Sequence, residues 1–169
     1  MAGNAPWSCD EREFDGAESG STWLPIYEFS SETSGFDEFR EGCRMVLGLG
    51  TDLIEIARMQ QTLDRFGERF MEKVFTEGEI AYCQRKKHAA ESFAARFAAK
   101  EAAAKALGTG ISRGISWKEI EVRREPGERP TLHLSGRAAQ RAMAMGVSNI
   151  QVSLTHSRDL AMAVVIAED

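Results

Sequence analysis

Among the polar residues of this 169-residue chain, Asp52, Glu101, Lys105 and His156 stand in settings that could support chemistry. Asp52 lies in Gly50-Thr-Asp-Leu-Ile-Glu55, just past a short apolar run. With Glu55 three residues later it has the form of a helix capping box. A carboxylate in a glycine-opened turn also leaves room beside it for a hard cation and a phosphate. Glu101 and Lys105 lie in Phe97-Ala-Ala-Lys-Glu-Ala-Ala-Ala-Lys105, where Phe97, Glu101 and Lys105 share one helix face. On a solvated face such a Glu–Lys pair contributes only about 0.2–0.5 kcal/mol. Beside Phe93 and Phe97 it is partly desolvated, and burial then calls for partners: a cation for Glu101 and a phosphate for Lys105. His156, between Thr155 and Ser157, is either a solvated loop histidine or a donor to a phosphate with hydroxyls alongside. Arg58, Arg65 and Arg69 are either ordinary solvated arginines or a surface for an acidic helix of a partner.

Several familiar chemistries are excluded. Gly48-Leu-Gly50 lacks the third glycine of a dinucleotide fingerprint, because Leu53 occupies that place. No Walker A sequence occurs, and no serine sits in a G-x-S-x-G elbow. Cys9, Cys43 and Cys83 are odd in number and share no C-x-x-C spacing, which argues for free thiols over disulfides or a structural zinc site.

The elements that must position these residues follow from hydrophobic period and punctuation. Met45-Val-Leu-Gly-Leu-Gly50 reads as a buried strand closed by a glycine turn. Ile56, Met59, Leu63 and Phe66 have helical spacing, and a second short helix covers Arg69 to Phe75. Thr76-Glu-Gly-Glu79 is a capping box that opens a further helix. Ala89 to Leu107 is an alanine-rich helix stopped by Gly108 and Gly110. From Ile115 to Val122 the period changes to that of a strand, and Thr131 to Leu134 is another. Ser135 is placed to cap a helix from Gly136 to Met145. Ile150 to Thr155 alternates, Leu160 to Ala167 is apolar throughout, and His156 to Asp159 reads as the hairpin loop between them. The order predicts an α+β fold, an antiparallel sheet packed on a long central helix.

Composition divides the chain. Apolar residues make up 43% and charged residues 28%, as in ordinary globular domains. Residues 1–44 carry ten acidic residues against three arginines, so the net charge of −5 belongs to this segment and the remainder is mildly basic. The segment is rich in Ser, Thr, Gly, Glu and Asp, and is expected to be an acidic, disordered extension. A domain spanning 45–169 follows it, and Met45 is a candidate start of translation. The longest apolar run, Leu160 to Ala167, is too short for a membrane span, which takes about 20 helical residues. The weakly basic body lacks the footprint of a nucleic-acid-binding protein. No secretory signal opens the chain, so a cytoplasmic protein is expected.

Gly48-Leu-Gly-Thr-Asp-Leu-Ile-Glu-Ile-Ala-Arg58 and Arg96-Phe-Ala-Ala-Lys-Glu-Ala-Ala-Ala-Lys-Ala-Leu-Gly-Thr-Gly110 resemble the two signatures of the 4′-phosphopantetheinyl transferases. The likeness is closest to their short type, the holo-acyl-carrier-protein synthases. Phe75 to Cys83, Arg129-Pro-Thr-Leu132 and Val152 to Ser157 support it, so the resemblance runs from Met45 to about Ala167. It implies transfer of phosphopantetheine from coenzyme A to a serine of apo-acyl carrier protein, in support of fatty acid biosynthesis. It also implies Mg2+ held by Asp52 and Glu101, and Lys105 on the departing phosphate. Either Glu101 or a water would take the serine proton. By the same resemblance, Gly108 allows close approach of the ligand, and Thr155 and His156 meet the 3′-phosphate of coenzyme A. Arg58 and Arg65 would dock the acidic carrier protein, and Arg96 and Lys100 are further candidates for nucleotide contacts. A homotrimer with active sites between subunits is implied as well.

Overall fold

The computed structural model describes residues 44–111 and 114–169. The expected disorder of the acidic extension, and the thiols of Cys9 and Cys43, lie outside the described residues. Cys83 is a buried, free thiol, and burial pushes its pKa up to about 11.

Strand β1 (Val46–Glu55) leads into helix α1 (Ile56–Val74), followed by α2 (Glu77–Gln84) and the long helix α3 (Ala89–Ala106). A 3-10 turn at Trp117–Glu119 enters β2 (Ile120–Arg123), which pairs with β3 (Thr131–Leu134) as a two-stranded antiparallel ribbon. Helix α4 (Gly136–Ala144) then precedes β4 (Asn149–His156) and β5 (Leu160–Glu168). These last two strands join β1 in an antiparallel sheet of order β1-β5-β4, with α3 packed on β1 and β5. The α+β class, with an antiparallel sheet on a long helix, is as expected.

Five local expectations change. The strand does not end at the glycines. It continues through Gly48 and Gly50 to Glu55, with Asp52 paired to Ala163. The glycines are there because α3 lies against the strand backbone: a Cβ on Gly48 would overlap the Ala106 carbonyl oxygen, and one on Gly50 the Ala102 carbonyl oxygen. Asp52 is therefore no helix cap. The residue preceding α1 is Glu55, which makes no side-chain cap, and the first turn is instead pinned by Ile56 N–H donating to the Asp159 carbonyl at 2.8 Å. Residues 115–119 are not strand. Ser116 N–H donates to the Glu119 carboxylate at 3.1 Å, closing a tight turn that stacks Trp117 on Phe97 with ring centroids 4.7 Å apart. His156 is the last residue of β4 rather than part of the loop, and the Ser135 hydroxyl caps nothing.

Other expectations hold. The capping box at Thr76 is formed in both directions. The two short helices expected across 56–75 are one element broken at Gly67, whose φ of 50° and ψ of −132° leave the helical region.

The interior has two apolar clusters, and α3 contributes to both. Ala98, Ala102 and Ala106 meet Ala163 and Val165 of the sheet on one side. Phe93 and Ala94 join Met59, Phe75 and Cys83 on the other. Alanine is the residue that lets a helix sit this close to a sheet without leaving a void. The opposite face of the sheet carries Leu49, Leu53, Met162, Val164 and Ile166, and no element of the described chain covers it. Leu49 is 61% and Leu53 52% exposed.

Gly50→Ala should destabilise the domain by at least ~2 kcal/mol, because neither backbone can withdraw from the added methyl. The urea midpoint of the variant checks this, and an unchanged midpoint would show that α3 can move away at no cost.

Candidate active site

The pleat of β1 points Asp52 toward α3, as it does Gly48 and Gly50. Because those glycines admit the helix, Glu101 on α3 comes to face Asp52 across a cleft of about 470 Å³. Leu53, Arg58, Phe70 and Phe97 also line this cleft. Its aromatic wall is set by Phe97, held between Phe70 and Trp117. Arg58 enters from the first turn of α1.

The two carboxylates are not alike. Asp52 Oδ1 accepts from Lys105 Nζ at 2.7 Å, and the same ammonium donates to the Thr51 carbonyl at 2.9 Å. Asp52 Oδ2 is buried and has no partner. Glu101 titrates above the ordinary glutamate range because burial disfavours its charge, and the nearby Asp52 carboxylate adds to this while Lys105 opposes it.

An orphaned carboxylate oxygen facing a second carboxylate fits a hard cation. Among the described residues no third His, Cys, Asp or Glu completes a cage. Such a donor set suits an ion that keeps waters and takes substrate phosphate oxygens, as Mg2+ does.

The other sequence candidates divide between this cleft and other places. Lys105 is at the cleft, paired to Asp52. Gly108 follows one turn beyond it in a left-handed conformation (φ 69°), with its N–H donating to the Lys105 carbonyl at 2.9 Å. Arg65 is exposed further along α1, its guanidinium 5.0 Å from the Phe66 ring centroid. Thr155 and His156 do not reach the carboxylates within the chain. They lie on β4, two strands across from β1, and Thr155 pairs with Met162 on the uncovered sheet face. Lys100 is not a nucleotide contact. It is fully buried and bound to Glu79.

A second cavity, of about 780 Å³, was hardly visible in the sequence. It lies between α2, α3 and the β2–β3 ribbon, where Arg85, Lys86, Arg96, Arg123 and Arg124 outnumber Glu121 and Glu125, and Arg123 is paired to Glu121 at 2.7 Å. Arg96 is 5% exposed, its Nε is buried without a partner, and its guanidinium lies 3.9 Å from the Tyr82 ring centroid. The available signal was the cationic run Arg85-Lys-Lys87 ahead of α3, together with Arg123-Arg124 across a turn.

Residues 48–165 match the family model described as the 4′-phosphopantetheinyl transferase superfamily. The chain belongs to this superfamily. It is 50% identical over 125 residues to a holo-[acyl-carrier-protein] synthase of Koribacter versatilis, covering 74% of this chain and all of that protein. The fold matches the crystal structure of holo-[acyl-carrier-protein] synthase from Neisseria meningitidis with a TM-score of 0.68 and 30% identity, over 74% of this chain and 100% of the other. The corresponding Helicobacter pylori enzyme, solved in complex with coenzyme A, matches with a TM-score of 0.63 and 31% identity, over 70% and 98% of the two chains. This phosphopantetheinyl transferase-like chain therefore carries Asp52 and Glu101 in one cleft of the family fold, with Lys105 paired to Asp52.

Asp52→Asn should lower the pKa of Glu101, since one of the two influences raising it is removed. The native state then binds fewer protons above the unfolded glutamate pKa, so the loss of stability as pH rises through the Glu101 titration becomes smaller. Carbon-13 NMR of the Glu101 carboxyl reads the shift directly, and an upward or absent shift would separate the two side chains electrostatically.

Proposed function

We propose that this protein transfers the 4′-phosphopantetheine group of coenzyme A to a serine of apo-acyl carrier protein, releasing adenosine 3′,5′-bisphosphate. The observation that carries this reading is the unpartnered, buried Asp52 Oδ2 beside a cleft that Glu101 also lines, within a chain that belongs to the phosphopantetheinyl transferases. The serine oxygen forms the new bond to the phosphorus bearing pantetheine, and the bond from that phosphorus to the bridging oxygen breaks. Transfer of this kind relies on positioning and charge neutralisation more than on covalent help from the protein.

Asp52 and Glu101 are the proposed holders of Mg2+, which when bound neutralises the diphosphate. Lys105, half-exposed and already at the cleft, takes the charge that develops on the departing bisphosphate. The serine proton passes to Glu101 or to a water in the cleft. Gly108 offers close backbone approach beyond Lys105. The arginine-lined cavity suits the phosphoadenosine end of coenzyme A, with Arg96 for a phosphate and Tyr82 beside it. Arg58 and Arg65, exposed along α1, form the proposed docking face for the acidic carrier protein.

The proposed assembly is a homotrimer. The open sheet face supports it, since exposed Leu49 and Leu53 beside Met162, Val164 and Ile166 form the kind of apolar surface that a subunit interface covers. In that assembly Thr155 and His156 serve the 3′-phosphate from a neighbouring subunit, which accounts for their distance from Asp52 within one protomer. Residues 45–169 are the proposed catalytic domain and 1–44 an acidic extension. The proposed setting is the cytoplasm, in support of fatty acid biosynthesis. No helix among the described residues is long and apolar enough to cross a membrane.

Incubation with apo-acyl carrier protein, coenzyme A and Mg2+, followed by mass spectrometry of the carrier, should show the addition of one phosphopantetheine. Breakdown of coenzyme A without modification of the carrier would identify a hydrolase instead. Asp52→Ala or Glu101→Ala should lower turnover by roughly 10²-fold or more, and a near-wild-type rate in either would remove that residue from the site. Reversing the charge of Arg65, which lies outside the cleft, should raise KM for the carrier and leave KM for coenzyme A unchanged. Light scattering should give three times the chain mass, and Leu49→Glu should shift it to the monomer.

A further inference from the structure

One strongly built polar feature has no part in the reaction described above. Glu79 and Lys100 form an ion pair with Oε2 and Nζ 2.8 Å apart and both side chains fully buried. The Glu79 carboxylate also accepts from Thr76 N–H at 2.9 Å and from Val122 N–H at 3.0 Å. The Lys100 ammonium also donates to the carbonyls of Trp117 at 3.0 Å and Ile120 at 2.6 Å. Through this one pair the start of α2, the middle of α3 and the entry to β2 are joined.

Stability alone is a poor reason for such an arrangement. Taking two charges out of water costs more than a surface pair returns, and well-packed apolar replacements are often neutral or better. Burial accordingly pushes the Lys100 pKa down, against the pull of Glu79. What the pair does provide is a set of fixed distances, because the three segments it joins are the walls of the cation-rich cavity. Tyr82 lies three residues after Glu79 on α2, and Arg96 lies one turn before Lys100 on α3. Val122, whose N–H is held by Glu79, stands between the cavity-lining Glu121 and Arg123.

We infer that Glu79, with Lys100, is a positioning residue for the nucleotide end of the substrate: it sets the spacing between Tyr82, Arg96 and the β2 backbone at Val122, at which a phosphorylated adenosine is held. The pair touches neither substrate nor the reacting atoms and acts only through these elements of the cavity wall. The inference rests on the reading of this cavity as the phosphoadenosine site.

The test uses the full chain and two variants, Glu79→Gln and Glu79→Gln/Lys100→Met. The double variant removes both charges and leaves no uncompensated ion, so its melting temperature should recover relative to the single variant. Calorimetry with adenosine 3′,5′-bisphosphate should show affinity weakened roughly tenfold or more in the double variant, the scale expected when binding groups are displaced by a fraction of an ångström. KM for coenzyme A should rise by more than kcat falls, and KM for the carrier protein should not change, a split that a general loss of stability does not produce. If the double variant does not fold, Glu79→Gln read well below its melting temperature decides by the same quantities. A folded variant with unchanged bisphosphate affinity overturns the inference. Arg96→Gln, run in parallel, separates the two levels. If it also leaves bisphosphate affinity unchanged, the cavity is not the nucleotide site and both readings fall. If it weakens affinity while the double variant does not, only the role of Glu79 falls.

Discussion

Helix α3 rests on β1 with no side chain between the two backbones at Gly48 and Gly50. This close approach is the constraint from which the site follows. A helix separated from a sheet by ordinary side chains lies about 10 Å away. Here hydrogen atoms on one side and alanine methyls on the other bring the two backbones closer. Asp52, two residues beyond Gly50 on the same face of the strand, then stands across from Glu101. Widening this contact by a single methyl would displace one carboxylate from the other without touching either.

Bringing two acids together in this way runs against electrostatics, and the protein counters it only in part. Lys105 takes one oxygen of Asp52, the other is left buried and free, and Glu101 holds its proton more tightly than an ordinary glutamate. The second buried charge cluster of the molecule is built in the opposite way. Every oxygen and proton of the Glu79–Lys100 pair is directed at a backbone partner or at the other member. A saturated cluster fixes geometry, whereas an unsaturated one retains capacity for a ligand. The contrast supports the proposed role of the Asp52–Glu101 pair in the reaction and the reading of the Glu79–Lys100 pair as framework.

The parts of this arrangement that were legible in the sequence are those with local causes. The Thr76 capping box, the alanine-rich helix, the glycine stop at 108 and the alternation of β4 each depend on neighbours a few residues away. The misreadings concern causes that are distant in the chain. Glycines in a strand and glycines in a turn look alike until a helix 52 to 58 residues later is seen to need the space, and so Asp52 passed for a cap. Lys100 and Lys105 share one helix and differ only in what the fold sets opposite them: a buried glutamate from α2 for the first, and an exposed strand edge for the second. Glu79 was read as a capping residue, which it is, but its links to Val122 and Lys100 are tertiary. The carboxylates, Lys105 and Arg58 could be proposed together because two short motifs hold them. The guanidinium cavity is assembled from α2, α3 and the ribbon, with no motif of its own.

Leu53 belongs to two surfaces. It is among the residues that border the carboxylate cleft, while the pleat turns its side chain away from Asp52 to the apolar residues on the uncovered face of the sheet. A body seated on that face would therefore meet β1 at the residue next to Asp52, so one stretch of backbone serves both the carboxylate and the open face.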